Sequence, residues 1–176
     1  HGFEFDFIDT RSLQKVKSTI KPNTKWIFVE TPTNPLLELC DIKELSELCS
    51  DNSIKLAIDN TFMSPYGQRP LNLGADIVMH SATKFIGGHS DLIAGALITS
   101  NSELAERLYF IQKSGGAIPS PFDCWILLRS TKTMALRVQK QSDNAMHLAK
   151  ILQSHNTVDS VIYPGLETHS QHNLAT

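Results

Sequence analysis

The sequence predicts an α/β fold, a mostly parallel sheet with helices on both faces, and three observations predict it. Short apolar runs recur at residues 26–29 (Trp-Ile-Phe-Val), 56–58 (Leu-Ala-Ile) and 76–79 (Asp-Ile-Val-Met), each the length of a buried strand. Between them, apolar residues fall at helical spacing, as in Ile42, Leu45, Leu48 and Cys49. Each run then stops in a polar loop rich in Pro, Asn or Gly, and a doubly wound sheet binds its ligands beyond such strand ends.

In chain order, alternation of Phe3, Phe5 and Phe7 with acidic positions predicts a strand over 3–8 with one buried face. Residues 12–20 read as a short helix closed by Lys21-Pro22. The run 26–29 predicts a strand buried on both faces. It ends in Glu30-Thr31-Pro32-Thr33-Asn34-Pro35, where two prolines forbid a continuing helix. Asp41 with Glu44 is a capping-box-like helix start. The strand 56–58 is closed by Asp59-Asn60-Thr61, and a proline-interrupted loop over 64–70 leads to the strand 76–79.

Residues 94–99 predict a further strand, and Ser102 a helix cap, with Leu104, Leu108 and Ile111 on one face until Ser114-Gly115-Gly116. A long helical pattern spans about 122–153, with Trp125, Leu128, Ala145, Leu148 and Ile151 available for burial and a break expected near 130–134. A last strand over 158–163 is followed by Pro164-Gly165 and a polar segment, 167–173. The chain opens at His1 rather than methionine and stops at Thr176 after a polar run, so it reads as a piece of a longer protein.

Composition narrows the function classes. The 176 residues allow one domain, or one and part of a second, and 41% hydrophobic content supports a packed core. Sixteen basic against eighteen acidic residues, with no basic block interleaved with aromatics, argue against a nucleic-acid partner. No apolar run approaches the roughly twenty residues that span a bilayer, and no signal peptide is visible, so a cytoplasmic protein without a membrane partner is expected. Cys40, Cys49 and Cys124 have no C-x-x-C spacing and read as buried free thiols; no metal site is expected.

The chemistry concentrates at 77–91, Ile-Val-Met-His-Ser-Ala-Thr-Lys-Phe-Ile-Gly-Gly-His-Ser-Asp, where a strand ends in small hydroxyl residues, one lysine and a Gly-Gly pair. The sheet rule brings Asn34, Asp59-Asn60-Thr61 and His80 to Lys84 to one crevice. A partly buried lysine loses some of its charge preference to desolvation, which frees its amine as a nucleophile toward a carbonyl. A lysine, a carboxylate and hydroxyls together match what pyridoxal phosphate requires: an aldehyde anchor, Lys84; a partner for the protonated ring nitrogen, Asp59; and phosphate donors, Ser81 and Thr83. Taken singly, each has a plain structural reading as a solvated lysine, a turn residue or loop hydroxyls; the combination carries the argument. His80 and His89 flank the lysine and read as structural.

Asp59-Asn60-Thr61-Phe62, Gln68-Arg69-Pro70-Leu71, Gly74-Ala75-Asp76-Ile77 and Ser81-Ala82-Thr83-Lys84 with Gly88-His89-Ser90-Asp91 closely resemble the Cys/Met-metabolism family of pyridoxal-phosphate enzymes. The likeness extends through Glu30-Thr31-Pro32-Thr33-Asn34-Pro35, Gly116-Ala117-Ile118-Pro119-Ser120-Pro121 and Tyr163-Pro164-Gly165-Leu166. The resemblance implies pyridoxal 5′-phosphate as cofactor, Lys84 as the catalytic Schiff-base lysine, Asp59 at the pyridine nitrogen, Ser81 and Thr83 at the phosphate, and Asn34 near the phenolic oxygen. It further implies part of the large cofactor domain of fold-type I enzymes over 1–130, a linking helix over 131–157 and the start of a small C-terminal domain over 158–176.

An amino-acid substrate and a homotetramer, a dimer of dimers, follow from the same resemblance. Phe62-Met63-Ser64-Pro65-Tyr66 is most similar to the lyase branch, which cleaves cystathionine by γ-elimination to cysteine, ammonia and 2-oxobutanoate. The γ-synthase and methionine γ-lyase branches stay open, as does a reading from another class, a non-catalytic scaffold or an inactive truncated fragment. The family's upstream phosphate turn, ring-stacking tyrosine and downstream substrate-carboxylate arginine have no counterpart in these residues.

Overall fold

The computed structural model describes residues 2–176; His1 lies outside them. Four strands, β1 (Trp26–Glu30), β2 (Lys55–Asp59), β3 (Ile77–Ser81) and β4 (Gly95–Ile98), form one sheet in the order β1-β2-β3-β4. The pairs β1–β2 and β2–β3 are parallel, and β4 returns antiparallel to β3. The predicted mostly parallel α/β sheet is therefore present.

Its core lies on one face. Helices α1 (Leu13–Thr19) and α2 (Ile42–Asp51) contribute Val16, Ile42, Leu45, Leu48 and Cys49 to a cluster with Ile27, Val29, Leu56 and Ile58. The cap expected at Asp41 is present, its carboxylate accepting from the Glu44 backbone N–H at 3.0 Å, and the Ser12 hydroxyl caps α1 as well, a role the sequence reading did not assign. The expectation that 26–29 is buried on both faces is corrected. Ile27 and Val29 are buried, whereas Trp26 and Phe28 are 45% and 59% exposed, because among the described residues helices cover only the Ile27 side of β1. The central strands fare differently, with Leu56, Ala57, Ile58, Ile77 and Val78 all buried.

Other expectations change too. Residues 3–8 form no strand; Phe3, Phe5 and Phe7 are exposed, and the segment is held by the Asp6–Lys21 and Asp9–Arg11 ion pairs rather than by a sheet edge. The loop 64–70 contains a short helix, α3 (Ser64–Gly67), followed by a 3-10 turn at Pro70–Leu73. Asn101, not Ser102, caps α4 (Ser102–Gly115), by accepting from Leu104 N–H at 2.9 Å. The long helix breaks where expected, into α5 (Pro121–Thr131) and α6 (Met134–Gln153).

Trp125, Leu128, Leu148 and Ile151 remain exposed and Cys124 is exposed rather than core; Val138 and Ala149 are the buried apolar positions of α6. Residues 158–163 form no strand, because among the described residues no sheet edge pairs with them; Gln153, at the end of α6, donates to the Thr168 hydroxyl beyond them at 2.8 Å. A short helix α7 (His172–Ala175) closes the chain. Just before it, the Gln171 amide donates to Leu39 C=O and accepts from Leu39 N–H, both at 2.8 Å, which fixes the C-terminal segment against the loop after β1.

Candidate active site

Register brings the strand ends together. Glu30, Asp59 and Met79 lie side by side across β1, β2 and β3, and Ser81 follows two residues on, on the same face as Met79. The Asp59 carboxylate is oriented by Thr61, whose N–H and hydroxyl both donate to Oδ1, at 3.0 and 2.6 Å. The Thr61 oxygen in turn accepts from the Ser81 N–H at 2.8 Å. One hydroxyl thus joins the ends of β2 and β3, and Asp59 Oδ2 is left without a hydrogen-bond partner among the described residues.

A second clamp lies behind it. Fully buried Asn60 donates to Gln68 C=O at 2.8 Å, while the Gln68 amide donates to Asn60 Oδ1 at 2.9 Å and to Thr31 C=O at 3.3 Å. The loop after β1 is thereby tied to the loop after β2. Asn34 sits in that first loop, exposed, with its N–H toward Glu30 Oε2 at 3.4 Å. Its side chain makes no hydrogen bond to Asp59, Ser81, Thr83 or Lys84 among the described residues.

Beyond β3 the backbone folds into a tight turn that carries Lys84. Lys84 N–H donates to Ser81 C=O at 3.1 Å, Gly87 N–H to Ala82 C=O at 2.8 Å, and Gly88 N–H to Lys84 C=O at 2.6 Å. Glycine is required here. A Cβ on Gly87 would stand 2.8 Å from Ala82 O, and Gly88 has φ +74° with the Arg137 guanidinium where its side chain would be. The Ser81 hydroxyl has no hydrogen-bond partner among the described residues and is half-buried. Thr83 differs: its hydroxyl donates to Ala94 C=O at 3.2 Å and accepts from Ala94 N–H at 3.0 Å. Phosphate donation by Thr83 would require the first of these to be exchanged.

Lys84 itself is exposed, which corrects the expectation of a partly buried amine. The neighbouring His80 is 3% exposed with Nδ1 unpartnered, and burial holds its pKa below the ordinary histidine value against the opposing Asp59 charge. His89 is exposed, its Nδ1 2.7 Å from Gly87 O. A concavity of about 380 Å³ lies away from this turn, against Phe7, Asp9, Arg11, Thr33 and Glu38. Among the described residues no group of three or more His, Cys, Asp and Glu is placed to hold a metal ion.

The donor set fits a phosphorylated pyridine aldehyde. An amine outside any ion pair, a carboxylate oxygen without a donor and a hydroxyl without an acceptor are the three groups such a molecule would engage. Three residues hold this arrangement together: Thr61 and Gln68, which the sequence marks only as parts of longer motifs, and Arg137, which it does not mark. Only Thr61 carried a local signal, its position two residues after an Asp at a strand end, where a side chain commonly closes an Asx turn. The hydrogen bonds of Gln68 and Arg137 act across the fold, and no spacing along the chain marks them.

The family model for Cys/Met metabolism PLP-dependent enzymes matches residues 1–176. A probable cystathionine γ-synthase of Herpetosiphon aurantiacus is 53% identical over 99% of this chain and 55% of its own length. A cystathionine γ-lyase of Bacillus subtilis (strain 168) is 46% identical over 99% of this chain and 46% of its own. Among solved structures, a cystathionine γ-lyase from Lactobacillus plantarum complexed with L-serine superposes with TM-score 0.96 at 43% identity, over 97% of this chain and 45% of that one. The chain spans about half the length of the relatives it matches.

Proposed function

We propose, since the chain belongs to the Cys/Met metabolism family of PLP-dependent enzymes, that the full-length protein cleaves cystathionine by γ-elimination, taking up water and releasing cysteine, ammonia and 2-oxobutanoate. The observation that carries this reading is the Thr61 hydroxyl, which holds Asp59 and Ser81 in one rigid unit at the base of the Lys84 turn. When bound, pyridoxal phosphate supplies the electron sink that permits bond breaking next to the amino-acid carbon. The protein's own groups do the rest. Lys84 would hold the cofactor through its aldehyde, and its amine would be the group that moves protons between substrate carbons. The Asp59 carboxylate would partner a protonated ring nitrogen; Ser81, and Thr83 once its bond to Ala94 is exchanged, would donate to phosphate; Asn34 would be the residue for the phenolic oxygen.

The lyase reading is supported by the segment Phe62-Met63-Ser64-Pro65-Tyr66, which leads into and forms most of α3 and puts the Phe62 ring 6.3 Å from the ring of Phe85, next to Lys84. The synthase reading, replacement at an activated homoserine ester, is supported by the 53% identity to a probable γ-synthase. A panel on the full-length protein separates them: cystathionine cleavage with release of 2-oxobutanoate supports the first, and cystathionine formation from cysteine and an acylated homoserine supports the second. Borohydride reduction of the cofactor-loaded protein followed by peptide mapping tests the shared premise. A pyridoxyl adduct on Lys84 is expected, and its absence sinks the enzyme reading in favour of a non-catalytic scaffold.

The same proposal places 1–130 in the large cofactor domain, 131–157 in a linking helix and 158–176 at the start of the small domain. The working enzyme is a cytoplasmic homotetramer whose other chain segments and subunits complete the walls around Lys84.

A further inference from the structure

We infer that Arg137 is the positioning residue for the turn that presents Lys84, an inference that rests on the reading of Lys84 given above. All of the guanidinium's bonds go to neutral oxygens. From α6, Nη1 donates to Phe85 C=O at 2.9 Å and Nη2 to Ile86 C=O at 3.2 Å, on the turn directly after Lys84. Nη2 also donates to Ser130 C=O at 3.0 Å, near the end of α5, and Nε to the Thr133 hydroxyl at 3.1 Å, at the break between α5 and α6. No carboxylate pairs with it among the described residues.

This use of an arginine is specific. Within the turn the N–H groups of Lys84, Gly87 and Gly88 bond to the carbonyls of Ser81, Ala82 and Lys84, while the carbonyls of Phe85 and Ile86 accept from the Arg137 guanidinium that bridges them. A planar fork with five donors meets two successive carbonyls, a helix-end carbonyl and a hydroxyl at once; an ammonium group has no such geometry. Gly88 completes the fit, because any side chain there would occupy the volume of the guanidinium. The position of the Lys84 backbone is thus set from two directions. Thr61 fixes the strand end before it, and Arg137 fixes the turn after it. Since small misplacements of a reacting group cost large factors in rate, the second anchor bears on turnover more than on substrate affinity.

The test uses the full-length protein with Arg137→Met, Arg137→Lys and, as a milder variant, Thr133→Val, which removes the acceptor of Nε together with the hydroxyl's own bond to Ser130 C=O but leaves the guanidinium bonds to Phe85 and Ile86. In cofactor-free protein, backbone hydrogen exchange at 85–88 should rise about tenfold in Arg137→Met while α2 and the central strands keep their protection. In loaded protein, kcat should fall on the order of tenfold to a hundredfold with KM within about twofold, and visible circular dichroism of the Lys84-bound chromophore should weaken. Arg137→Lys should not restore either signal, and Thr133→Val should show smaller changes in the same direction. Unchanged exchange at 85–88 in Arg137→Met overturns the anchoring. Faster exchange with unchanged kcat and circular dichroism overturns the positioning role. If Arg137→Met does not fold, Thr133→Val decides by the same readouts. The exchange measurement needs no cofactor, so a wild-type protein lacking the Lys84 adduct would refute the functional reading separately from the anchor.

Discussion

At the scale of single residues, side chains that meet the cofactor are distinguished from those that aim them. Lys84 is exposed and makes no ion pair, so Lys84→Ala should leave the unfolding midpoint unchanged and abolish turnover; retained turnover would remove its role. Thr61 is the opposite kind. Its hydroxyl holds both the Asp59 carboxylate and the Ser81 N–H, and Thr61→Val should lower kcat by on the order of tenfold to a hundredfold while Thr61→Ser retains most of it. His80 gives a pH dependence. Its buried imidazole favours the neutral form, so the native state binds fewer protons than the unfolded chain as pH falls through the ordinary histidine pKa of about 6.5. Its contribution to stability is present above that value and lost below it. Denaturant unfolding of the wild type and His80→Leu at pH 8 and pH 5.5 should show a smaller acid loss in the variant; equal losses would assign the acid sensitivity elsewhere.

At the scale of elements, α2 against β1 and β2 is the part of the fold that stands most securely on its own. Leu45 is 1% exposed in the middle of that contact, and Leu45→Ala should destabilise by about 2–5 kcal/mol, measured by denaturant unfolding. Cys40 and Cys49 bracket the same helix. Burial pushes both thiols up to about 11, so at pH 8 only on the order of 0.1% is thiolate and even that is sheltered. Iodoacetamide at pH 8 should leave both unmodified in native protein and label them only after denaturation, as read by peptide mass spectrometry. The turn after β3 has no such packing reserve. Its shape depends on Gly87, Gly88 and the Arg137 anchor, which is why it was readable in the sequence as a Gly-Gly break but not as a clamped loop.

At the scale of the whole molecule, the exposed apolar surface is informative. Trp26 and Phe28 on the sheet, and Phe122, Trp125 and Leu128 on α5, are exposed although their spacing marks them for burial. Phe122 and Trp125 even stack on each other, with ring centroids 5.9 Å apart. In the proposed full-length tetramer these faces are covered by the remaining chain and by neighbouring subunits. Trp125→Asp in the full-length protein should lower the mass seen by analytical ultracentrifugation; an unchanged mass would remove α5 from the assembly surface. The exposure of Lys84 belongs to the same pattern.

By itself the sequence determined the order of the four strands and of helices α1, α2 and α4, the cap at Asp41, the break between α5 and α6, and the placing of Asp59, Ser81, Thr83 and Lys84 at neighbouring strand ends. Each of these is a local fact, set by periodicity within one element or by a polar cluster at a strand end. Tertiary structure decided what depends on neighbours. Alternating phenylalanines at 3–8 became an exposed segment because no edge pairs with them, and the apolar run of β1 was covered on one side only. Thr83 proved engaged with Ala94, and Lys84 proved exposed. The Thr61 bridge and the Arg137 anchor arise because folding brings distant backbone groups within about 3 Å of one side chain, the reach of a hydrogen bond, and no pattern along the chain records such a meeting.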